Sequence, residues 1–191
     1  MIDLITSRPT VPQVKMAEPG PDDAQLQRLL AAGAAAPDHG VLRPWRFLVV
    51  RGPAREALGE LFARAALAAD PHASPADIEK QRSAPLRAPL IIVVVARIDR
   101  RQGKFPEIEQ ICSAAAAAQN ILLAAHAMGF AGKWSTGKNA YDSTIKTGLG
   151  VAPDDHLIGF LYIGSYAAAQ QPSPRPELSL VTRLWSGPPS P

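Results

Sequence analysis

Residues 90–96 read LIIVVVA. The run is apolar throughout and mostly β-branched. Such a run fits a strand buried on both faces, and so a central one. Working outward, RFLVV at 46–50 predicts a second buried strand, and HLIGFLYIG at 156–164 predicts the last. Gly52 and Pro53 punctuate the first of these, and a helix rich in Ala and Leu follows over 54–69. Pro71 ends it, and a short helix over 75–83 starts with Ser74 as cap and Pro75 in first position. Downstream of the central run, residues 107–128 (EIEQICSAAAAAQNILLAAHAM) predict a long buried helix. Its five consecutive alanines permit close helix packing, and Gly129 ends it. Toward the N-terminus, Asp22 and Asp23 precede AQLQRLLAAGAAA, a helix stopped by Pro37. Residues 1–21 hold four prolines and read as irregular. Residues 37–45 and 129–138 read as loops, and a short helix fits 142–149. The tail after Gly164 is rich in Pro, Ser and Gln, although VTRLW at 181–185 is apolar enough to dock. This order predicts an α+β sandwich, a small mixed sheet flanked by helices. Its β-α alternation is too irregular for a doubly wound fold. We expect one domain over 1–166 and an extended Pro-rich tail over 167–191.

Composition narrows the function classes. A chain of 191 residues with 47% hydrophobic and 19% charged residues is globular and suits one core. A net charge of +3 is too small to argue for nucleic acid, but suits anionic small ligands. The single cysteine, Cys112, excludes an internal disulfide framework and reads as an inert buried thiol. The opening MIDLITSRPT lacks the pattern of a signal peptide, and no apolar run reaches the ~18 residues of a membrane span. The expectation is a cytoplasmic protein that engages neither membrane nor nucleic acid.

Several chemistries lack their motifs. No G-x-G-x-x-G follows a strand. Gly132-Lys133 suggests a P-loop only faintly, because Trp134 stands where Ser or Thr must hold magnesium. His39, His72, His126 and His156 show no metal-ligand spacing, and G-x-S-x-G is absent. Three segments do suit ligands. Ser7-Arg8-Pro9-Thr10 pairs a guanidinium with hydroxyls, as an anionic polyhydroxylated ligand requires. Residues 37–45 hold His39 and Arg43 in a loop stiffened by proline. Lys133-Trp134-Ser135-Thr136-Gly137 offers a cation, an aromatic, hydroxyls and a glycine amide, a mixture suited to a heteroaromatic ring with a phosphate. Each has a plainer alternative: a frayed terminus, an ordinary connection, and a turn whose tryptophan packs.

In order and spacing these segments resemble the nitroreductase family, especially its small YdjA-like NAD(P)H nitroreductases. Those proteins open with S/N-R-R-S, matched by residues 7–10. They continue with A-P-D-H/S…Q-P-W-x-F-x-V, matched by Ala36-Pro37-Asp38-His39 and then Arg43-Pro44-Trp45-Arg46-Phe47-Leu48-Val49. R-A-P-L-I-I-x-V-V-A appears at 87–96, G-F/L-G-G-x-W-x-S-G as GFAGKWSTG at 129–137, and I-V-G-F-L-Y-L-G at 157–164. The likeness spans about residues 4–166.

The resemblance implies an FMN-dependent flavoprotein that forms an intertwined homodimer with FMN at the subunit interface. By its motifs, Arg8, Pro9 and Thr10 would hold the phosphate and ribityl chain. His39 would come from the second subunit, and Trp134, Ser135 and Thr136 would border the flavin. Ala124, Ala125, His126, Ala127, Met128 and Gly129 match the stretch assigned to nicotinamide nucleotide. NADH or NADPH would pass hydride to flavin N5, and a nitroaromatic or quinone-type acceptor would then collect it in ping-pong order. No side-chain acid or base is demanded. Arg8 and Lys133 are the expected source of positive field beside the flavin. The chain departs from the pattern at Pro9, which replaces a second arginine, and at Ala35, which also replaces one. An insertion blurs the position of Lys15. Compensation would come from Arg43 or Lys133, with weaker FMN affinity otherwise. The rival expectation is a non-catalytic dimeric protein of the same fold that binds flavin or another small ligand.

Overall fold

The computed structural model describes residues 1–100, 103–167 and 171–188. In it, the run at 90–96 is strand β2 (Leu90–Ala96), buried at every position. It lies between β1 (Trp45–Arg51) and β4 (His156–Gly164). β3 (Ala131–Ser135) pairs with the far side of β4, so the order is β1-β2-β4-β3. Alternate side chains of β2 serve two cores. Ile91, Val93 and Val95 join Leu58, Phe62, Phe160 and Tyr162 on one face. Ile92 and Val94 join Leu29, Ile121, Leu122 and Leu161 on the other. Two covered faces explain why no polar residue interrupts the run.

The expected mixed sheet is corrected by the pairing, which is antiparallel in all three ladders. A lone crossover helix favours parallel neighbours. Between β1 and β2 the chain forms two helices, α3 (Ala54–Ala69) and α4 (Pro75–Ser83), which bring it back beside β1 in the opposite direction. α3 and α6 (Ser143–Gly148) cover the Phe160 face, and α4 packs on α3. α2 (Asp23–Ala34) and α5 (Glu107–Ala127) cover the other face.

Local chemistry sets the helix ends. Asp22 and Gln25 form a reciprocal capping box at α2, with Asp22 Oδ1 accepting from the Gln25 N–H at 2.7 Å. Ser74 caps α4 by accepting from the Asp77 N–H at 3.1 Å, and Pro75 opens the helix. Gly129, at φ +83°, ends the last turn of α5.

Three further expectations are corrected, and a fourth is not met within one chain. Residues 1–21 are not wholly irregular, because α1 (Ile2–Ser7) precedes the first proline at 9. Residues 131–135 are strand, not loop. Gly132 there closes on Leu122, and the pairing with β4 is a long-range contact that glycine content does not reveal. Cys112 is exposed, because the buried stripe of α5 runs through Gln110, Ser113, Ala114 and Ala117 and leaves 112 outside it. The VTRLW segment does not dock on its own chain. Beyond the short α7 (Leu178–Val181), Leu184 is 93% and Trp185 81% exposed.

α3 and α4 approach most closely at Gly59, where a Cβ would overlap the carbonyl oxygen of Arg82. Backbone cannot retreat as a side chain can. Gly59→Ala is therefore expected to destabilise the protein by about 1–3 kcal/mol. Urea unfolding should show a lower midpoint with an unchanged slope.

Candidate functional site

Segment 8–13 runs along the open edge of β3. The Val11 N–H donates to the Gly132 carbonyl at 3.4 Å, and Lys133 Nζ donates to Gln13 Oε1 at 2.6 Å. The opening motif and the GKWST motif are thus neighbours, although about 120 positions separate them in the chain.

Where this edge meets α3 and α4, a cleft of about 420 Å³ opens on the Phe160 face. Gln13, Ser135, Thr136 and Gly137 form one wall, and Lys80, Gln81 and Arg87 form another. Phe62, Ala65, Ala66 and Ala69 supply an apolar floor. Lys138 adds a third cation at the rim. The two acids there are engaged locally: Asp70 Oδ1 accepts from the His72 N–H at 2.9 Å, and Asp142 Oδ1 from the Ile145 N–H at 3.1 Å. Tyr162 is 3% exposed, and burial pushes its phenol up to about 12, with Arg87 opposing. Its hydroxyl makes no hydrogen bond among the described residues. No fully enclosed side-chain polar atom there lacks a partner, so this hydroxyl reaches the open space of the cleft.

These residues fit a flat heteroaromatic ligand with polar edges. The floor is apolar, the donors stand at the margin, and a buried phenol has a hydrogen bond to give. A flavin ring has this character. Gln13, Lys80, Gln81, Arg87 and Tyr162 were not singled out from sequence. Two of them carried a signal: Arg87 opens the R-A-P-L motif, and Tyr162 is the tyrosine of the last-strand motif.

The expected site residues divide into two groups. Arg8 lies half-buried at the other end of β3 from the cleft, beside His126, whose Nε2 is 3.3 Å from Ser7 Oγ. Pro9 is buried and Thr10 exposed. The stretch 124–129 is the end of α5 and the turn after it, so the opening motif and this stretch adjoin. Lys133 is half-buried and committed to Gln13, and neither it nor Arg8 lines the cleft. Ser135 and Thr136 do. The Trp134 indole points to the opposite face of β3, where its Nε1–H donates to the Ile158 carbonyl at 2.9 Å. That placement follows from strand alternation.

Ala35, His39 and Arg43 form the second group. Ala35 is the exposed C-cap of α2. His39 Nδ1 pairs with Glu109 Oε2 at 2.6 Å, and its ring meets Phe105 edge-on at 4.8 Å. Gly40, at φ +76°, lies against Phe105, where no Cβ would fit. The Arg43 N–H donates to Asp38 Oδ2 at 2.7 Å. Glu109 stands at the start of α5 and His126 at its end. The seventeen helical steps from one to the other span roughly 26 Å. Within one chain, His39 and Arg8 therefore serve different places.

The chain matches the sequence model of the Nitroreductase family over residues 16–165. It is 40% identical over 151 residues to YdjA of Escherichia coli strain K12, provisionally named an NAD(P)H nitroreductase, covering 79% of this chain and 81% of that one. Among solved structures, a nitroreductase-like family protein from Bacillus cereus superposes with a TM-score of 0.82. It is 22% identical, with 97% of this chain and 96% of that one covered. A provisionally named nitroreductase of Desulfovibrio desulfuricans, solved in complex with FMN, gives a TM-score of 0.70 at 24% identity, with 100% and 97% covered.

Proposed function

From the premise that this chain belongs to the nitroreductase family, we propose that it is an FMN-dependent NAD(P)H oxidoreductase acting as a homodimer on small nitroaromatic or quinone-type acceptors. The carrying observation is the cleft, which joins Gln13, Ser135 and Thr136 to Lys80 of α4, to Arg87 just beyond it, and to a buried phenol with no partner among the described residues. Gln13, Ser135, Thr136, Lys80, Arg87 and Tyr162 would hold the flavin ring. The chemistry such a cofactor supplies when bound is two-electron transfer, hydride in from NADH or NADPH and out to the acceptor, in ping-pong order.

The chain's own groups do the rest. Lys80 and Arg87 place positive charge over the polar wall, where negative charge on a reduced ring is stabilised without reorganisation. Lys133 holds Gln13 in place from behind. The Phe62 and alanine floor keeps water from one side of the ring. No side chain in the cleft need act as acid or base, because its open side admits solvent protons.

Two observations support the dimer. His39 stands too far from Arg8 to share one flavin with it in a single chain. The tail also exposes Leu178, Leu180, Leu184 and Trp185, apolar surface that a second copy would cover. On this reading residues 1–166 are the flavin domain, 167–191 an arm laid on the partner, and the setting cytoplasmic. Among the described residues no helix is long and apolar enough to cross a membrane.

The test is a visible spectrum of the purified protein after FMN is added and the excess removed, followed by anaerobic NADH or NADPH. Two retained flavin bands that bleach with nucleotide are the expected result. Colourless protein, or flavin that neither nucleotide bleaches, would overturn the oxidoreductase and leave a ligand-binding protein of this fold.

A further inference from the structure

A second hollow, of about 300 Å³, lies between the segment that follows the opening motif and the turn that leads into β2. Val14, Met16 and Ala17 line it from the first segment, and Leu86, Ala88 and Pro89 from the second. Met16 is buried, whereas Val14 is 67% and Leu86 46% exposed. Single apolar residues at a surface are ordinary, but two on the rim of one hollow form an apolar lip.

Arg55 lines the same hollow from the first turn of α3, with a side chain only 21% exposed. Its Nε–H donates to the Gly52 carbonyl at 3.3 Å and its Nη1 to the Ala88 carbonyl at 3.0 Å, which fixes the guanidinium in place. Two of its five N–H donors are thereby spent. Among the described residues, the one carboxylate within ion-pair distance is that of Glu18, whose Oε1 stands 3.9 Å from Nη2. That separation is beyond hydrogen-bond reach. Glu18 is turned to its own chain, where Oε2 accepts from the Gly20 N–H at 3.0 Å. Arg87 also lines the hollow, and no carboxylate among the described residues lies within ion-pair distance of it. The lining thus sets two cations against one acid, and its more buried cation lacks a hydrogen-bonded anion, an arrangement that costs stability.

We propose that this groove is a binding site for a small aliphatic monocarboxylate of the short-chain fatty acid class. The carboxylate meets the free N–H groups on Nη1 and Nη2 of Arg55 as a charge-assisted pair and displaces the loose contact with Glu18. The hydrocarbon covers Val14, Met16 and Leu86. A single negative charge balances the lining, whereas a phosphate dianion would overfill it beside Glu18. The site does not rest on the flavin reading. Arg87 borders both this groove and the cleft, but Arg55 lines the groove and not the cleft, so Arg55 separates the two.

The chain has three methionines, Met1, Met16 and Met128, and Met16 is the one that lines the groove. The full chain, labelled with carbon-13 at the methionine methyls, is titrated with sodium hexanoate and with hexanamide, its uncharged counterpart. Hexanoate is expected to move the Met16 signal to saturation and to leave Met1 and Met128 in place, and hexanamide to bind at least about tenfold more weakly. Arg55→Gln should weaken hexanoate about ten- to hundredfold, the weight of one charge-assisted contact. Glu18→Gln should tighten it several-fold, because a competing carboxylate is gone. Arg55 also ties Gly52 to Ala88, so its replacement bears on folding, and Leu86→Glu serves as the second variant. Position 86 is exposed, and a carboxylate at the rim should repel the ligand and weaken it about tenfold without touching the guanidinium. The titration reads the same signal with or without flavin, so failure of the flavin reading leaves this proposal standing. A Met16 signal that hexanoate does not move, or that hexanoate and hexanamide move alike, would overturn it. So would a hexanoate constant that neither Glu18→Gln nor Leu86→Glu changes.

Discussion

Phe160→Ala is expected to destabilise the protein by about 3–5 kcal/mol, the usual cost of emptying a fully packed aromatic site. Phe160 stands on β4, which pairs with both β2 and β3. It is 2% exposed, and its ring meets Phe62 edge-on with centroids 5.2 Å apart. The cavity could not collapse easily, because strand ladders hold one side and α3 the other. At roughly 2–4 °C per kcal/mol for a chain of this size, the melting temperature should fall by roughly 6–20 °C. Phe62 also floors the cleft, so flavin retention should weaken alongside. A fall of a degree or two in calorimetry would contradict this account of the core.

Ala35→Arg is expected to tighten FMN binding about ten- to hundredfold, a gain of about 1.5–3 kcal/mol from one charge-assisted hydrogen bond. Ala35 is exposed at the end of α2, so a long side chain meets no obstruction on its own chain. It belongs to the group with His39, which reaches a flavin only across the dimer. An unchanged dissociation constant for FMN would mean that position 35 does not face the flavin. The matching change at the other departure should behave differently. Pro9 is buried, so arginine there would have to shed its water, and Pro9→Arg is expected to cost stability instead of restoring a contact.

Much of the fold was legible because its cues are local. The β2 run, the proline at the head of α4, the acids before α2 and the glycine after α5 each announce an element through its own neighbours. β3 was not legible. Three glycines between 129 and 137 imitate a loop, and only β4, twenty-odd residues downstream, makes a strand of the segment. The direction of the sheet was hidden for a related reason, since it depends on how α3 and α4 turn the chain in space.

The candidate site divides along the same line. The motif order in the sequence pointed to the family, and the family to FMN, through residues 7–10 and 133–137. The walls of the cleft came from elsewhere. Lys80 lies on a helix of ordinary charged composition, and Tyr162 inside a strand that reads as pure core.

The sequence by itself determined three of the four strands and most of the helices, because caps, proline, glycine and hydrophobic period act within a few residues of one another. It also determined the family, because five motifs in register carry that information without coordinates. Tertiary structure alone decided which polar groups meet. His39 and Glu109 lie 70 positions apart, and Lys133 and Gln13 lie 120 apart. Electrostatic and hydrogen-bond energies depend on separation in space, which position along the chain does not encode.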